Sequence, residues 1–339
     1  MIMVKRARLI YNPVSGHEIM ERNVAGVLSV LEDAGYESST FRTRPQEGST
    51  EAEAARVAEA GFDLIVAAGG DGTINEVVNG IAGLPKRPML GIIPVGTTND
   101  YARALKIPRE DPVGAAKVIA KGEHIGVDIG RANDTYFVNI AGGGNMMDLT
   151  YEVQSDVKSA LGYLAYLLKG AEMLPRMRPI PMHLAYDDGE YDGEASMFFL
   201  SLTNSVGGLE TIAPDAVLGD GQFTLMIVKT ANLVEIVQLL TMVLTGGRHV
   251  NDDRIIYTQT RHLDVAAPHG EQLKVNLDGE YGGDAPMHFV NLKQHIQAFA
   301  NVADIPDEAI ATQEAKKKLI ETARTLKDPD QEVNSDKNK

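Results

Sequence analysis

The chain has 339 residues, 44% of them hydrophobic and 23% charged, with no cysteine. That length exceeds what one core usually serves, so two domains are expected. A largely disordered chain, disulfides and cysteine-held zinc are excluded, and 47 acidic against 32 basic residues, a formal charge of -15, speaks against a bulk nucleic-acid binder.

The first eight residues turn basic before any apolar run develops, and no secretory signal is expected. Residues 7–11 read as a buried strand ended by Asn12 and Pro13. Val24, Val27, Leu28 and Leu31 form an apolar stripe that predicts a helix over 18–34. A strand at 38–42 and a helix at 52–60, stopped by Gly61, come next. The run Asp63-Leu64-Ile65-Val66-Ala67-Ala68 does not alternate, as in a strand covered on both faces. A turn over 69–73, a helix from Ile74 to Ile81 and a buried strand at 90–94 complete this part. Repeated strand–helix units predict an α/β domain with a parallel sheet.

The pattern changes after about Ile129. Short strand candidates at 136–140, 182–186, 195–203, 223–228, 255–260, 263–266 and 273–277 predict a β-sandwich-like antiparallel domain. Helices are expected near 159–173 and 233–244, and a strand with a short helix over 287–300. The apolar stretch at 232–245 carries Glu235 and Gln238 and is too short to span a bilayer, so a soluble, cytoplasmic protein is expected. From about 303 to 339 the chain is charge-dense, with a weak helical run over 314–326, and is expected to be a mobile, dispensable tail.

Three loops follow first-domain strands: Asn12-Pro13-Val14-Ser15-Gly16, Gly69-Gly70-Asp71-Gly72-Thr73-Ile74-Asn75 and Gly96-Thr97-Thr98-Asn99-Asp100. Ligands of open parallel sheets bind where such loops lie, at the carboxyl ends of the strands. Glycine lets the backbone approach a phosphate, and a helix N-terminus adds a positive field. Each loop alone could be a tight turn, but three at corresponding strand ends favour a phosphate cradle. Neither G-x-x-x-x-G-K-[ST] nor G-x-G-x-x-G occurs, so no P-loop or dinucleotide fingerprint is present. Asp71 beside a polyphosphate would repel it unless a cation such as Mg²⁺ lay between them, which favours phosphoryl transfer.

The Gly69 to Glu76 segment resembles the nucleotide loop of the diacylglycerol kinase catalytic family, although NAD kinases and phosphofructokinases carry a similar Gly-Gly-Asp-Gly. Asn12 to Gly16 resembles that family's first ATP loop, and Pro94-Val95-Gly96-Thr97-Thr98-Asn99-Asp100-Tyr101-Ala102-Arg103 its P-x-G-T-x-N-D-F/Y-A-R segment. Val127-Asp128-Ile129-Gly130, Asn139-Ile140-Ala141-Gly142-Gly143-Gly144 and Leu277-Asp278-Gly279-Glu280 follow in the family's order, so the likeness runs from about residue 5 to 300 and is strongest to soluble bacterial lipid kinases.

The resemblance implies an ATP-binding α/β domain at 1–128, joined by a return of about 287–302, and a β-rich lipid-substrate domain at 129–286. It implies Mg²⁺-dependent transfer of the ATP γ-phosphate to a lipid hydroxyl, by default diacylglycerol, giving phosphatidic acid. By position, Asn12, Pro13, Val14, Ser15, Gly16, Thr43, Gly69, Gly70, Asp71, Gly72, Thr73, Ile74, Asn75 and Thr97 would bind ATP. Asp71, Asp100 and Asp128 match acidic positions used around magnesium and its water. Glu280 stands at the family's proton-acceptor position, with Asp278 one glycine away; a plain Asp-Gly hairpin turn is the other reading of that motif. A structural magnesium would take the carboxylate of Asp220 and the backbone carbonyls of Val217 and Gln222, although Gly219 stands where the family often has Asp.

The eight histidines show no metal spacing, and Met146 and Met147 suit a core or a lipid groove better than a cofactor. The expected partners are a membrane lipid and, peripherally, the anionic inner membrane surface, with Lys158, Lys169, Arg176 and Arg178 lying among Leu161, Tyr163, Leu167 and Leu168. A homodimer is among the assemblies allowed; nucleic acid is not an expected partner. Two alternatives remain open: an NAD kinase-like enzyme and a catalytically silent nucleotide-sensing module.

Overall fold

A computed structural model describes residues 4–46, 48–144, 179–210, 212–230, 233–244, 246, 248–268 and 271–311. The expected helix at 159–173, the basic and apolar set between Lys158 and Arg178, Met146 and Met147, and the helical run over 314–326 lie outside these residues.

Strands β1 (Lys5–Tyr11), β2 (Tyr36–Arg42), β3 (Leu64–Gly69) and β4 (Met89–Pro94) pair in parallel in the order β2-β1-β3-β4. Every residue of β3 is buried, as its unbroken apolar run predicts. Helices α1 (Ile19–Asp33), α2 (Ser49–Glu59) and α3 (Asp71–Ala82) are the crossovers between these strands. Gly80 lets α3 approach α2 closely, because a Cβ there would lie 2.9 Å from the Ala54 methyl. After β4 come the short α4 (Asp100–Ala104) and α5 (Pro112–Lys121). Sequence reading passed over α5, although its ends are marked. Asp111 caps the N-terminus by accepting from Gly114 N at 2.9 Å, Pro112 opens the first turn, and Gly122 closes the helix at φ +79°.

The chain then builds β5 (His124–Ala132), β6 (Thr135–Phe137), β7 (Ile140–Gly144), β8 (Ile180–Tyr186), β9 (Gly189–Ser201) and β10 (Phe223–Lys229). Helix α6 (Leu233–Leu244), β11 (Ile255–Thr260), β12 (His262–Ala266), β13 (Lys274–Leu277), β14 (Glu280–Asp284) and β15 (Met287–Phe299) follow. All pairings among these strands are antiparallel. Strand β15 is the hinge of the design: its far end pairs in parallel with β4 at Ala298–Leu90, while it also runs antiparallel to β5 and β12. The α/β sheet and the β-rich part therefore form one continuous ladder.

Two expectations are corrected here. Residues 287–299 are one long strand with an irregularity between Leu292 and Ile296, not a strand and a helix, because both ends find ladder partners. The charged tail also begins later than expected. Ile305 and Ile310 are buried in the first core, and Leu218 N and Ala311 N bond Ala309 O (2.9 Å) and Leu218 O (3.1 Å). The stretch from 303 to 311 thus packs on the fold, its few apolar residues spaced to reach the core.

Two main cores result. The first gathers Leu9, Ile65, Ile74, Ile93 and Leu105 under the parallel sheet. The second centres on aromatic rings: Phe137 stacks on Phe223 at 5.7 Å, and Phe289 meets Phe137 and Phe198 edge-on at 6.2 and 6.3 Å. Gly130 is required beside this cluster, since a Cβ there would run into the Phe137 ring.

Candidate active site

The three glycine loops meet at the carboxyl ends of β1, β3 and β4, and each presses on the next. A Cβ at Gly16, which has φ +58°, would lie 2.5 Å from Val95 O. A Cβ on Gly96 would collide with the Gly70 backbone. Backbone bonds fix the set: Asn12 N to Ala68 O at 2.9 Å, Thr43 N to Tyr11 O at 2.9 Å and Val95 N to Gly69 O at 3.0 Å. Asn99, itself left-handed at φ +51°, clamps the third loop by accepting from Gly96 N at 2.9 Å and donating to Gly96 O at 2.7 Å.

A polar cleft of about 300 Å³ opens over these loops. Asn12, Ser15, Thr43, Gly70, Gly72 and Thr73, all expected to bind ATP, line it. Helix α3 starts at Asp71, earlier than expected, so its N-terminus lies at this cleft, where Gly70 O accepts from Thr73 N at 3.0 Å and Ile74 N at 3.3 Å. The other expected ligands are placed differently. Val14 is exposed, Ile74 is core, and Pro13, Gly16, Gly69, Thr97 and Asp71 shape the loops without lining the cleft.

Asp71 is tied inward. Its carboxylate accepts from Thr98 Oγ1 at 3.0 Å and Tyr101 N at 3.3 Å, and burial, reinforced by the charge of Asp100, pushes its carboxyl above the ordinary range. Asp100 reaches the β-rich part: it accepts from Ser205 Oγ, Gly207 N and Gly208 N at 2.8, 2.8 and 2.7 Å. The aspartate of the third loop therefore holds the 205–208 loop beside the nucleotide side.

The hairpin β13–β14 brings in the acidic motif. Leu277 pairs with Glu280, so Asp278 and Gly279, at φ +51° and +98°, form a two-residue turn. The Asp-Gly dipeptide is thus the hairpin turn that one reading of this motif expects. Asp278 faces inward and is saturated: Val138 N, Asn139 N and Ile140 N donate to it at 2.6, 2.9 and 2.9 Å, and Asn75 Nδ2 at 2.7 Å. Burial pushes its carboxyl up while these donors hold it down. Asn75, expected on the nucleotide, is thus the tie between α3 and the hairpin. Glu280 faces the other way, exposed and lining the cleft, with Oε1 3.9 Å from where a Gly72 Cβ would be.

The second acidic region joins β5, β15 and the segment before β10. Asp128 accepts from Gly221 N and Gln294 N, both at 2.6 Å. Asp220 accepts from Gln222 N at 2.8 Å. Burial raises both carboxyls, and the charge of Asp128 raises Asp220 further, against the pull of Lys293. Among the described residues no three acidic or histidine side chains gather as a metal cluster. A cation here would rest on the Asp220 carboxylate and on carbonyls of Val217 and Gln222, the oxygen-only donors that suit magnesium. Two observations fit such an ion: the charge of Asp128 raises the Asp220 carboxyl, and the buried Tyr101 hydroxyl is without a partner and in the fields of Asp128 and Asp278. Gly219 has its own cause, since it sits at φ +79° and a Cβ would lie 2.7 Å from Gly126 O.

Three cleft-lining residues escaped sequence reading: Arg44, Thr50 and Glu76. Glu76 stood at the end of the glycine motif, and Gly48-Ser49-Thr50 carries the signal of a helix start. Arg44 had no motif around it.

Residues 6–132 match the model of the diacylglycerol kinase catalytic domain, and residues 148–300 that of the YegS C-terminal NAD kinase beta sandwich-like domain. A diacylglycerol kinase of Bacillus subtilis (strain 168) is 54% identical over 293 residues, 86% of this chain and 95% of that protein. The chain belongs to the diacylglycerol kinase family. Another member, the diacylglycerol kinase of Staphylococcus aureus (strain JH9), is 45% identical over 94% of this chain and the whole of that protein. A solved structure of a candidate diacylglycerol kinase from Bacillus anthracis strain Sterne covers 88% of this chain and 96% of its own, with a TM-score of 0.76 and 27% identity. Membership accounts for the pairing of a parallel α/β half with a β-sandwich-like half. The family's glycine motifs are the loops that meet over β1, β3 and β4. No helix among the described residues is long and apolar enough to cross a membrane.

Proposed function

We propose that the chain is an ATP- and magnesium-dependent lipid kinase that transfers the γ-phosphate to the hydroxyl of diacylglycerol, giving phosphatidic acid. The observation that carries this reading is the cleft itself: a backbone-rich cradle with a helix N-terminus, lined by two exposed carboxylates, of which Glu280 comes from the β13–β14 turn facing the loops. An alcohol is a weak nucleophile, and phosphoryl transfer to it is mostly positioning, charge stabilisation and removal of one proton.

Glu280 accepts the proton of the lipid hydroxyl as its oxygen bonds to the γ-phosphorus. The bond from that phosphorus to the β–γ bridging oxygen breaks, and ADP leaves. Asn12, Ser15, Thr43, Gly70 and Thr73 hold the nucleotide, and Asp278 fixes the turn that aims Glu280. Magnesium, when bound with the nucleotide, neutralises phosphate charge; a second ion at Asp220 would be structural. The acceptor lies in a bilayer, so the reading includes peripheral work at the inner, anionic membrane surface.

The test is incubation with labelled ATP, Mg²⁺ and total membrane lipid, with NAD as a competing acceptor, followed by mass analysis of the products. Labelled phosphatidic acid supports the reading. Labelled NADP in its place would establish the NAD kinase-like alternative. ATP binding without any labelled product would leave a nucleotide-sensing module.

A further inference from the structure

The cleft has a charge problem that the family motifs do not solve. Two of its lining side chains, Glu76 and Glu280, are carboxylates, and ATP is a polyanion. No P-loop lysine exists in this sequence. Among the described residues lining the cleft, one side chain is cationic: Arg44.

Arg44 is placed for this work by the chain before and after it. Thr43 is bonded to the end of β1, which fixes where β2 delivers its next residue. Pro45 biases Arg44 towards extended backbone, and Ser49 Oγ donates to Arg44 O at 3.2 Å, closing the loop onto the start of α2. Its guanidinium is exposed and pairs with no described residue. Arg42, two residues earlier, is by contrast paired with Glu21 at 3.8 Å. An arginine at the mouth of an otherwise acidic cleft, not paired with either carboxylate there, is a donor fork awaiting an anion.

We propose that Arg44 binds the polyphosphate of the nucleotide and supplies the side-chain cation that a P-loop lysine supplies elsewhere. This rests on the nucleotide reading of the same cleft. Arg44 is a binding residue, and it acts on affinity more than on the chemical step.

The test compares the full-length wild type with Arg44→Gln and Arg44→Lys by calorimetric titration with ATP and with adenosine, in Mg²⁺. Arg44→Gln is expected to raise the ATP Kd about tenfold, the effect of losing a charge-assisted hydrogen bond. It should leave adenosine binding unchanged, and Arg44→Lys should recover part of the loss. The KM for ATP should rise with Kd while kcat stays within about twofold, the signature of lost uniform binding. Equal ATP affinity in wild type and Arg44→Gln overturns the proposal, as does an equal loss for adenosine, which would put the arginine on the base. Wild-type protein that does not bind ATP would overturn the nucleotide reading itself, a result distinct from either.

Discussion

The mouth of the cleft and the acidic interior behind it use the same residue types for opposite ends. Asp71, Asp100 and Asp278 are saturated by donors from other segments: Thr98 and Tyr101, the 205–208 loop, and the 138–140 backbone with Asn75. Glu280 lies two residues from Asp278 and is exposed on the cleft. A carboxylate whose lone pairs are filled has little left to take a substrate proton, whereas a solvated one across from a phosphate cradle does. In the proposed reaction the division between structure and chemistry therefore runs through a single two-residue turn.

Asp278→Ala should break this contrast hardest. It strands three backbone N–H groups and the Asn75 amide, so stability should fall by about 4 kcal/mol, read by denaturant unfolding, and activity should fall with it. Unchanged stability would mean that the interior carboxylate is not a strut. Glu280→Gln is the complementary case. Turnover should drop about 10²-fold or more, with ATP affinity and melting temperature unchanged. Near-normal turnover in Glu280→Gln would move the base elsewhere.

Deletion of residues 306–339 should cost about 2 kcal/mol, because it removes Ile310 from the first core and the backbone partners of Leu218. Thermal melting decides this, and a neutral deletion would show that the 303–311 stretch contributes nothing.

The smallest effect sharpens the reading of the Asp128–Asp220 pair. Both carboxyls lie above their ordinary range in the folded chain, so folding binds protons there. Metal-free stability should therefore be penalised at neutral pH, with the penalty relieved as pH falls through their folded values. Asp220→Asn should remove its share of that penalty at pH 7, by about 1 kcal/mol or less. Added Mg²⁺ should raise the wild-type melting temperature and leave that of Asp220→Asn unchanged. An equal Mg²⁺ response in both would place the ion elsewhere.

Much of the first half was readable in the chain. Unbroken apolar runs at β3 and β4 announce buried parallel strands, and glycine loops after β1, β3 and β4 announce a site at their ends. Such signals are local, since a strand's burial and a loop's backbone freedom are written in consecutive residues. The Asp111-Pro112 start and Gly122 stop of α5 were equally local, although sequence reading passed over them.

What tertiary structure decided is which side chains meet. Sequence spacing leaves Asp278 and Glu280 interchangeable, because a Gly between two acids does not say which one faces a neighbouring strand. That choice is made when the 138–140 backbone, over a hundred residues earlier, closes three N–H groups on Asp278. The same holds for Arg44, which has no motif and becomes the cation of the cleft only when β2 is laid beside β1. It holds for Ile310, whose charged surroundings hide a core residue. Pairings across such separations depend on the assembled ladder of β15 with β4, β5 and β12, and that ladder is a property of the whole fold.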